Sequence, residues 1–182
     1  MALIRAGIAE FSRQGFDASL DSICARAKLT RGAFYVHFAD RDAFIVAVMQ
    51  HVLGTFVSAI TGAQPATAST AAAIEVFFAA ARADAPVVRG AAGLRFHHLI
   101  EACRRTQVIG DTYRGLLRMG RDQLASVVVA DQDRGDLRDD VAAPALADLM
   151  LVAALGVIAA LELELPIDIA RVGDTMRGLL AP

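Results

Sequence analysis

The sequence predicts an all-α protein of about nine helices: a small N-terminal three-helix unit, followed by a larger helical domain. Three observations carry this. Alanine, the best helix former, is abundant, while tryptophan is absent and aromatics make up only 6% of the 182 residues. Apolar residues recur at three- and four-residue spacing along nearly the whole chain. Most of the periodic stretches are bounded by capping residues, glycine or proline.

The first helix spans about 2–14, with Leu3, Ala6, Ile8 and Phe11 on its apolar side. Gly15 and Phe16 then sit where a Schellman ending wants a left-handed glycine and an apolar contact back to Phe11. Ser19 is placed to cap a short second helix (20–27), in which Leu20, Ile23, Cys24 and Ala27 share a face. A tight turn at Lys28-Leu29 leads to Thr30, the expected cap of a third helix (31–37). Asp40 is the expected cap of a long fourth helix (41–60), with Ile45, Val48, Val52, Phe56 and Ile60 in register. The stretch 61–65, ending in Pro65, breaks the pattern.

The fifth helix (70–83) carries Ile74, Phe77, Phe78 and Ala81 as a stripe. Pro86 is suited to the first turn of a sixth (86–104), with Ala92, Phe96, Leu99, Ile100 and Cys103 on one face. The seventh (109–133) repeats Tyr113, Leu117, Gly120, Leu124 and Val128 and stops at Gly135. The eighth (142–163) is apolar on every side from Leu149 to Leu161, and Pro166 follows it. Asp168 is the expected cap of the ninth (169–180). No strand is expected, since Val127-Val128-Val129 lies inside a longer helical period. The division expected is a domain over 1–44 and another over 45–182.

A net charge of −2 neither favours nor excludes nucleic acid. Its distribution has a sign: residues 1–58 hold six basic against five acidic side chains, and the remainder is net acidic. Cys24 and Cys103 form no CxxC pair and no zinc spacing, which reads as two reduced, buried thiols. Met1 leads straight into a helical pattern containing Arg5 and Glu10, so no signal peptide is expected. The uncharged run from Leu149 to Leu161 falls short of the roughly 20 residues of a membrane span, so no membrane partner is expected. There is no GxSxG, Walker loop or GxGxxG, and no enzymatic role or cofactor is expected. His97 and Glu101 share a helix face beside His98, but no third ligand is spaced to complete a metal site.

Two short helices joined by a tight turn, the second capped by Thr30, have the form of a helix-turn-helix that places its second helix in the major groove. The run Leu29-Thr30-Arg31-Gly32-Ala33-Phe34-Tyr35-Val36-His37-Phe38 resembles the recognition-helix signature of the tetracycline-repressor (TetR) family. Phe11 to Gly15, Ser19 to Ala27 and Asp40 to Phe44 fit the flanking helices of that family. The resemblance covers residues 3–53 and implies an all-α homodimer joined through its last two long helices. It also implies an effector cavity in the C-terminal domain and, usually, repression released by ligand. Where the family usually has glycine in the turn, this chain has Lys28. The sequence opens at the first helix itself, ahead of which many relatives carry a basic arm.

The resemblance implies that Tyr35 and His37 meet DNA, with Tyr35 on phosphate or a thymine methyl. Arg31, just past the cap, is placed to read guanine or bind phosphate. Gly32 costs roughly 1 kcal/mol in a helix, which close approach to DNA would justify. Arg41 opposes the dipole of its own helix, which a facing phosphate would offset. Lys28 can reach a phosphate, and the helix N-termini capped by Ser19 and Thr30 can hold others. In the second domain the expected pocket walls are Phe56, Phe77, Phe78, Phe96, Tyr113 and Leu117. The expected dimer interface comprises Leu151, Leu155 and Ile158 of the eighth helix and Val172, Met176 and Leu179 of the ninth. Together these readings predict a cytoplasmic repressor released from a palindromic DNA operator by a small, mostly apolar effector. An activator, or a helical small-molecule-binding protein of the same fold, is the alternative.

Overall fold

The computed structural model describes residues 1–61, 69–83 and 95–182, with residues 56–61 described by their backbone alone. Among these residues the only regular secondary structure is helical. The elements are α1 (Ala2–Gln14), a 3₁₀ turn (Gly15–Asp17), α2 (Leu20–Ala27), α3 (Arg31–His37), α4 (Arg41–Thr61), α5 (Thr70–Arg82), α6 (Phe96–Cys103), α7 (Gln107–Arg134), α8 (Ala143–Glu162) and α9 (Ile169–Leu180). The break expected at 61–65, beyond Thr61, and the start expected for the sixth helix, with Pro86 and Ala92, lie outside the described residues.

The expected caps form. Ser19 Oγ accepts from Ser22 N at 3.0 Å, Thr30 Oγ1 from Ala33 N at 3.1 Å, Asp40 Oδ1 from Ala43 N at 2.7 Å and Asp168 Oδ1 from Arg171 N at 3.0 Å. Each such cap contributes about 1 kcal/mol. Ser69 and Thr106 cap α5 and α7 in the same way.

The endings are more varied. Lys28 is left-handed (φ 56°, ψ 40°), and Leu29 N bonds Cys24 O at 2.9 Å while Lys28 N bonds Ala25 O at 3.1 Å. This is a Schellman ending on a lysine, and the left-handed backbone costs on the order of 1–2 kcal/mol. α8 ends likewise on Glu164 (φ 53°), so the helix stops before Pro166 acts. Gly15 departs from expectation: its φ is 67° but its ψ is −173°, and the chain turns into the 3₁₀ segment. That backbone region is open essentially to glycine alone. The expected contact of Phe16 on Phe11 still forms, at 4.7 Å between ring centroids.

Two apolar cores result. The first gathers Phe11, Ile23, Phe34, Phe44, Ile45, Val48 and Met49 from α1 to α4. Phe44 is its hub, 5.8 Å from Phe11 and 5.2 Å from Phe34. This core does not stop at the three-helix unit. It takes in Leu99 and Ala102 of α6, and Ile109 and Tyr113 of α7. The second core joins Ile74, Phe77, Phe78 and Ala81 of α5 to Val128 of α7, Leu146, Met150 and Val157 of α8, and Leu180 of α9. Gly173 lets α9 close on α5, since a Cβ there would stand 2.9 Å from the Phe78 ring.

Helix α8 is, by length and composition, apolar enough to cross a bilayer. Here it lies along α7 with Leu146, Ala147, Met150, Val157 and Ala160 buried, while Leu149 and Val152 are exposed.

Candidate nucleic-acid interface and apolar cavity

Helix α3 is anchored by one fully buried side chain, Phe34, and presents most of its remaining surface to solvent. Arg31, Gly32, Tyr35, Val36 and His37 are exposed; Tyr35 is 57% and Val36 80% accessible. Tyr35 stands edge-on against Phe34 at 5.3 Å, so its ring is braced by the core while its hydroxyl end is free to face outward. Among the described residues nothing crowds position 32, where the nearest atom to an added Cβ is Thr30 Oγ1 at 3.7 Å. The missing side chain therefore matters only to what approaches from outside. Ser19, Lys28 and Thr30 are exposed beside this face.

Two head-group charges are arranged differently from expectation. Arg41 is turned inward: its Nη2 donates to Phe16 O at 2.5 Å and to Ala18 O at 2.6 Å. Burial, and then the nearby Arg105, lower its pKa from the usual arginine value. Arg41, expected at a phosphate, here ties the start of α4 to the turn before α2. Arg31 is paired with Asp21 of α2, Nε to Oδ1 at 2.6 Å and Nη2 to Oδ2 at 3.0 Å. Sequence reasoning passed over Asp21 and Val36; the only available signal was their place in the first turn of α2 and on the exposed side of α3.

Behind this face, Glu10 is buried and accepts from Arg26, Arg13 and Gln14, tying α1 to α2. The Arg26 hydrogen bond holds its carboxyl below the usual glutamate range. Burial pushes the Cys24 and Cys103 thiols up, away from the reactive thiolate.

Helix α6 bridges the two parts. At its start, Glu162 from the end of α8 accepts from the Phe96 and His97 backbone N–H groups and pairs with His97 Nδ1 at 3.0 Å. The His98 ring lies against the 3₁₀ turn, 3.5 Å from where a Cβ on Gly15 would be. Arg105, past its end, pairs with Asp17. His97, His98 and Glu101 do not converge, and no group of three His, Cys, Asp or Glu side chains among the described residues could hold a metal.

Between the two cores lies a partly open cavity of about 100 Å³. Its walls are wholly apolar: Leu53 of α4; Ala73, Ile74, Phe77 and Phe78 of α5; Leu116, Leu117, Gly120 and Leu124 of α7; Met150, Leu151 and Ala154 of α8; and Met176 of α9. Of the residues expected at pocket walls, Phe77, Phe78 and Leu117 line this cavity. Tyr113 is not at the wall; it is 5% accessible in the first core, where burial raises its hydroxyl pKa. Phe96 is partly buried at the start of α6, away from the cavity. The Phe56 side chain lies outside the described residues.

The residues expected at a dimer face lie in several surroundings. Leu151 and Met176 turn to the cavity, and Ile158 and Val172 pack on the second core. Leu155 is half-buried and Leu179 exposed. One helical step round α8, Leu149 and Val152 form the outward apolar ridge.

Residues 3–48 match the family described as bacterial regulatory proteins, tetR family. The N-terminal unit, residues 3–48, is thus similar to the N-terminal domain of that family. The whole fold of the chain is shared with solved tetR-fold structures. Salmonella enterica GusR aligns at 21% identity and TM-score 0.77, covering 99% of this chain and 94% of that one. A TetR-family transcriptional regulator from Rhodococcus sp. aligns at 16% and 0.79, covering 98% and 94%. SmeT in its triclosan complex aligns at 21% and 0.74, covering 100% and 90%. At these identities the likeness establishes the fold alone. No curated protein sequence matches the chain.

Proposed function

We propose that the protein is a cytoplasmic, ligand-responsive transcriptional repressor, homodimeric on a palindromic operator and released from it by a small apolar effector. The observation that carries this reading is the pairing, in one chain, of an outward-facing recognition helix with a wholly apolar, partly open cavity. Tyr35, His37 and Lys28 contact phosphates or thymine methyls, Arg31 reads a base edge, and Gly32 lets the backbone approach. The N-termini capped by Ser19 and Thr30 hold phosphates. A 1–44 head and a 45–182 effector and dimer domain remain the functional division, with α4 and α6 linking them.

The cavity selects the effector's chemistry. Among the described residues its walls offer no polar side chain, so a charged ligand would lose its hydration there with nothing in return. A neutral, hydrocarbon-rich molecule fits. The same fold holds triclosan in the SmeT complex. Dimerisation covers Leu149, Val152, Leu155 and Leu179 with a second copy and sets two recognition helices about 34–36 Å apart.

The test is a thermal-shift screen of neutral aromatic and aliphatic compounds, with hits retested for release of a duplex selected from random sequence. A hit should raise the melting temperature and weaken DNA binding by about 5–150-fold. A hit that binds tightly and leaves DNA affinity unchanged refutes the coupling.

A further inference from the structure

We infer that Asp21 is a positioning residue for base reading: it holds Arg31 side-on, so that the guanidinium presents its end-on fork to a guanine. The inference rests on the DNA-reading role proposed above and adds to it a residue that the recognition helix does not contain.

The geometry is specific. Asp21 stands in the first turn of α2 and Arg31 in the first turn of α3, and their two contacts use Nε and Nη2. An arginine has five N–H donors in a rigid plane. The Asp21 carboxylate takes the Nε–H and one Nη2–H, the side edge. The end edge, one hydrogen on each of Nη1 and Nη2, remains for a second acceptor pair. Guanine O6 and N7 form such a pair in the major groove. Both side chains are largely exposed, 60% for Arg31 and 70% for Asp21. An exposed ion pair of this kind adds little to stability, so folding does not explain it.

The carboxylate also has a cost that identifies its purpose. An anion on the face that meets phosphate repels every DNA sequence alike. Paired with Arg31, it loses most of that repulsion only while the guanidinium stays in place. Letting Arg31 swing out to a phosphate would expose the carboxylate to the DNA backbone. Asp21 therefore penalises the sequence-blind use of Arg31 and favours the guanine-bound one. A free arginine would do the reverse, gripping phosphates anywhere.

The experiment is selection of binding sites from a random-core duplex library by the full chain, comparing wild type, Asp21→Ala, Asp21→Asn and Arg31→Ala. The selected site and a mixed-sequence duplex are then titrated by fluorescence anisotropy. Wild type should enrich one guanine per half-site whose preference Arg31→Ala abolishes. Asp21→Ala and Asp21→Asn should lower that preference by about threefold or more, short of its loss in Arg31→Ala, because Arg31 can still reach the guanine without being held. Both should also bind the mixed duplex several-fold more tightly, since one negative charge has left the DNA face. A merely structural role would weaken all duplexes together. If wild type enriches a motif and both Asp21 variants keep the guanine at the wild-type ratio, the inference is overturned while the regulator reading stands. If wild type enriches no motif, both fall.

Discussion

Replacing Arg41 by alanine separates two uses of the same charge. The guanidinium donates to the Phe16 and Ala18 carbonyls at 2.5 and 2.6 Å and is partly shielded from water. A hydrogen bond from a charged donor contributes about 1.5–3 kcal/mol. Both bonds come from one nitrogen, and water can reach the freed carbonyls, so Arg41→Ala should cost about 1.5–3 kcal/mol in total. For a chain of this length that lowers Tm by about 3–12 °C, read by circular dichroism at 222 nm. DNA binding should then be measured at a temperature where both forms are folded. Log affinity against log salt should keep its wild-type slope, because no phosphate contact is lost. An unchanged Tm with a salt slope reduced by about one unit would mean that Arg41 leaves its carbonyls for a phosphate. That result would refute the reading of Arg41 as a brace.

Ala73→Leu should fill the cavity beside Ile74 and Phe78, abolish thermal shifts by apolar probes and leave binding to mixed-sequence DNA intact. Val152→Arg should give monomers by light scattering at micromolar concentration and weaken operator binding, because it places a charge on the exposed ridge of α8. Gly15→Ala should destabilise by about 1–3 kcal/mol in chemical denaturation, since its backbone suits glycine alone. His98 should make stability fall in mild acid. Burial, and then His97, lower its pKa below 6.5, with Arg95 acting in the same sense and Glu101 and Glu162 opposing. The unfolded chain therefore binds the proton first, and stability is lost as pH falls from about 6.5 through the lower folded value. His98→Gln should remove that segment of the pH profile.

Much of the architecture was legible in the sequence because caps are local. Ser19, Thr30, Asp40 and Asp168 each act on an N–H three residues on, so their roles need no knowledge of the tertiary fold. Along α7, Leu117, Gly120 and Leu124, expected on one face, all line the cavity, while Tyr113 of the same stripe packs in the first core. Rotational phase on α8 was not legible, because a helix apolar on every side carries no stripe to fix it. Leu151 therefore turned inward and Leu149 and Val152 outward.

The aromatic residues failed differently. Tyr113 does face a core, but the packing of α6 and the start of α7 on the head puts it in the first core, away from the cavity. Ile100 was expected on the buried face of α6, yet it is exposed while Ala102 is buried. Helical spacing tells which residues share a face; it does not tell which partner that face meets. Arg41 and Asp21 show the same limit for charge. Each depends on a residue ten or more positions away, Asp21 on Arg31 and Arg41 on Phe16 and Ala18.

The central claim is that the α2–α3 face binds DNA through phosphates and base edges. Its most direct test is fluorescence anisotropy of the full chain on a mixed-sequence duplex across a salt series from 50 to 200 mM (about a fourfold range). The account predicts binding that weakens linearly in log affinity against log salt, with a slope of several units. Lys28→Ala should reduce that slope by about one. Absence of binding at the lowest salt, or affinity indifferent to salt, would contradict it.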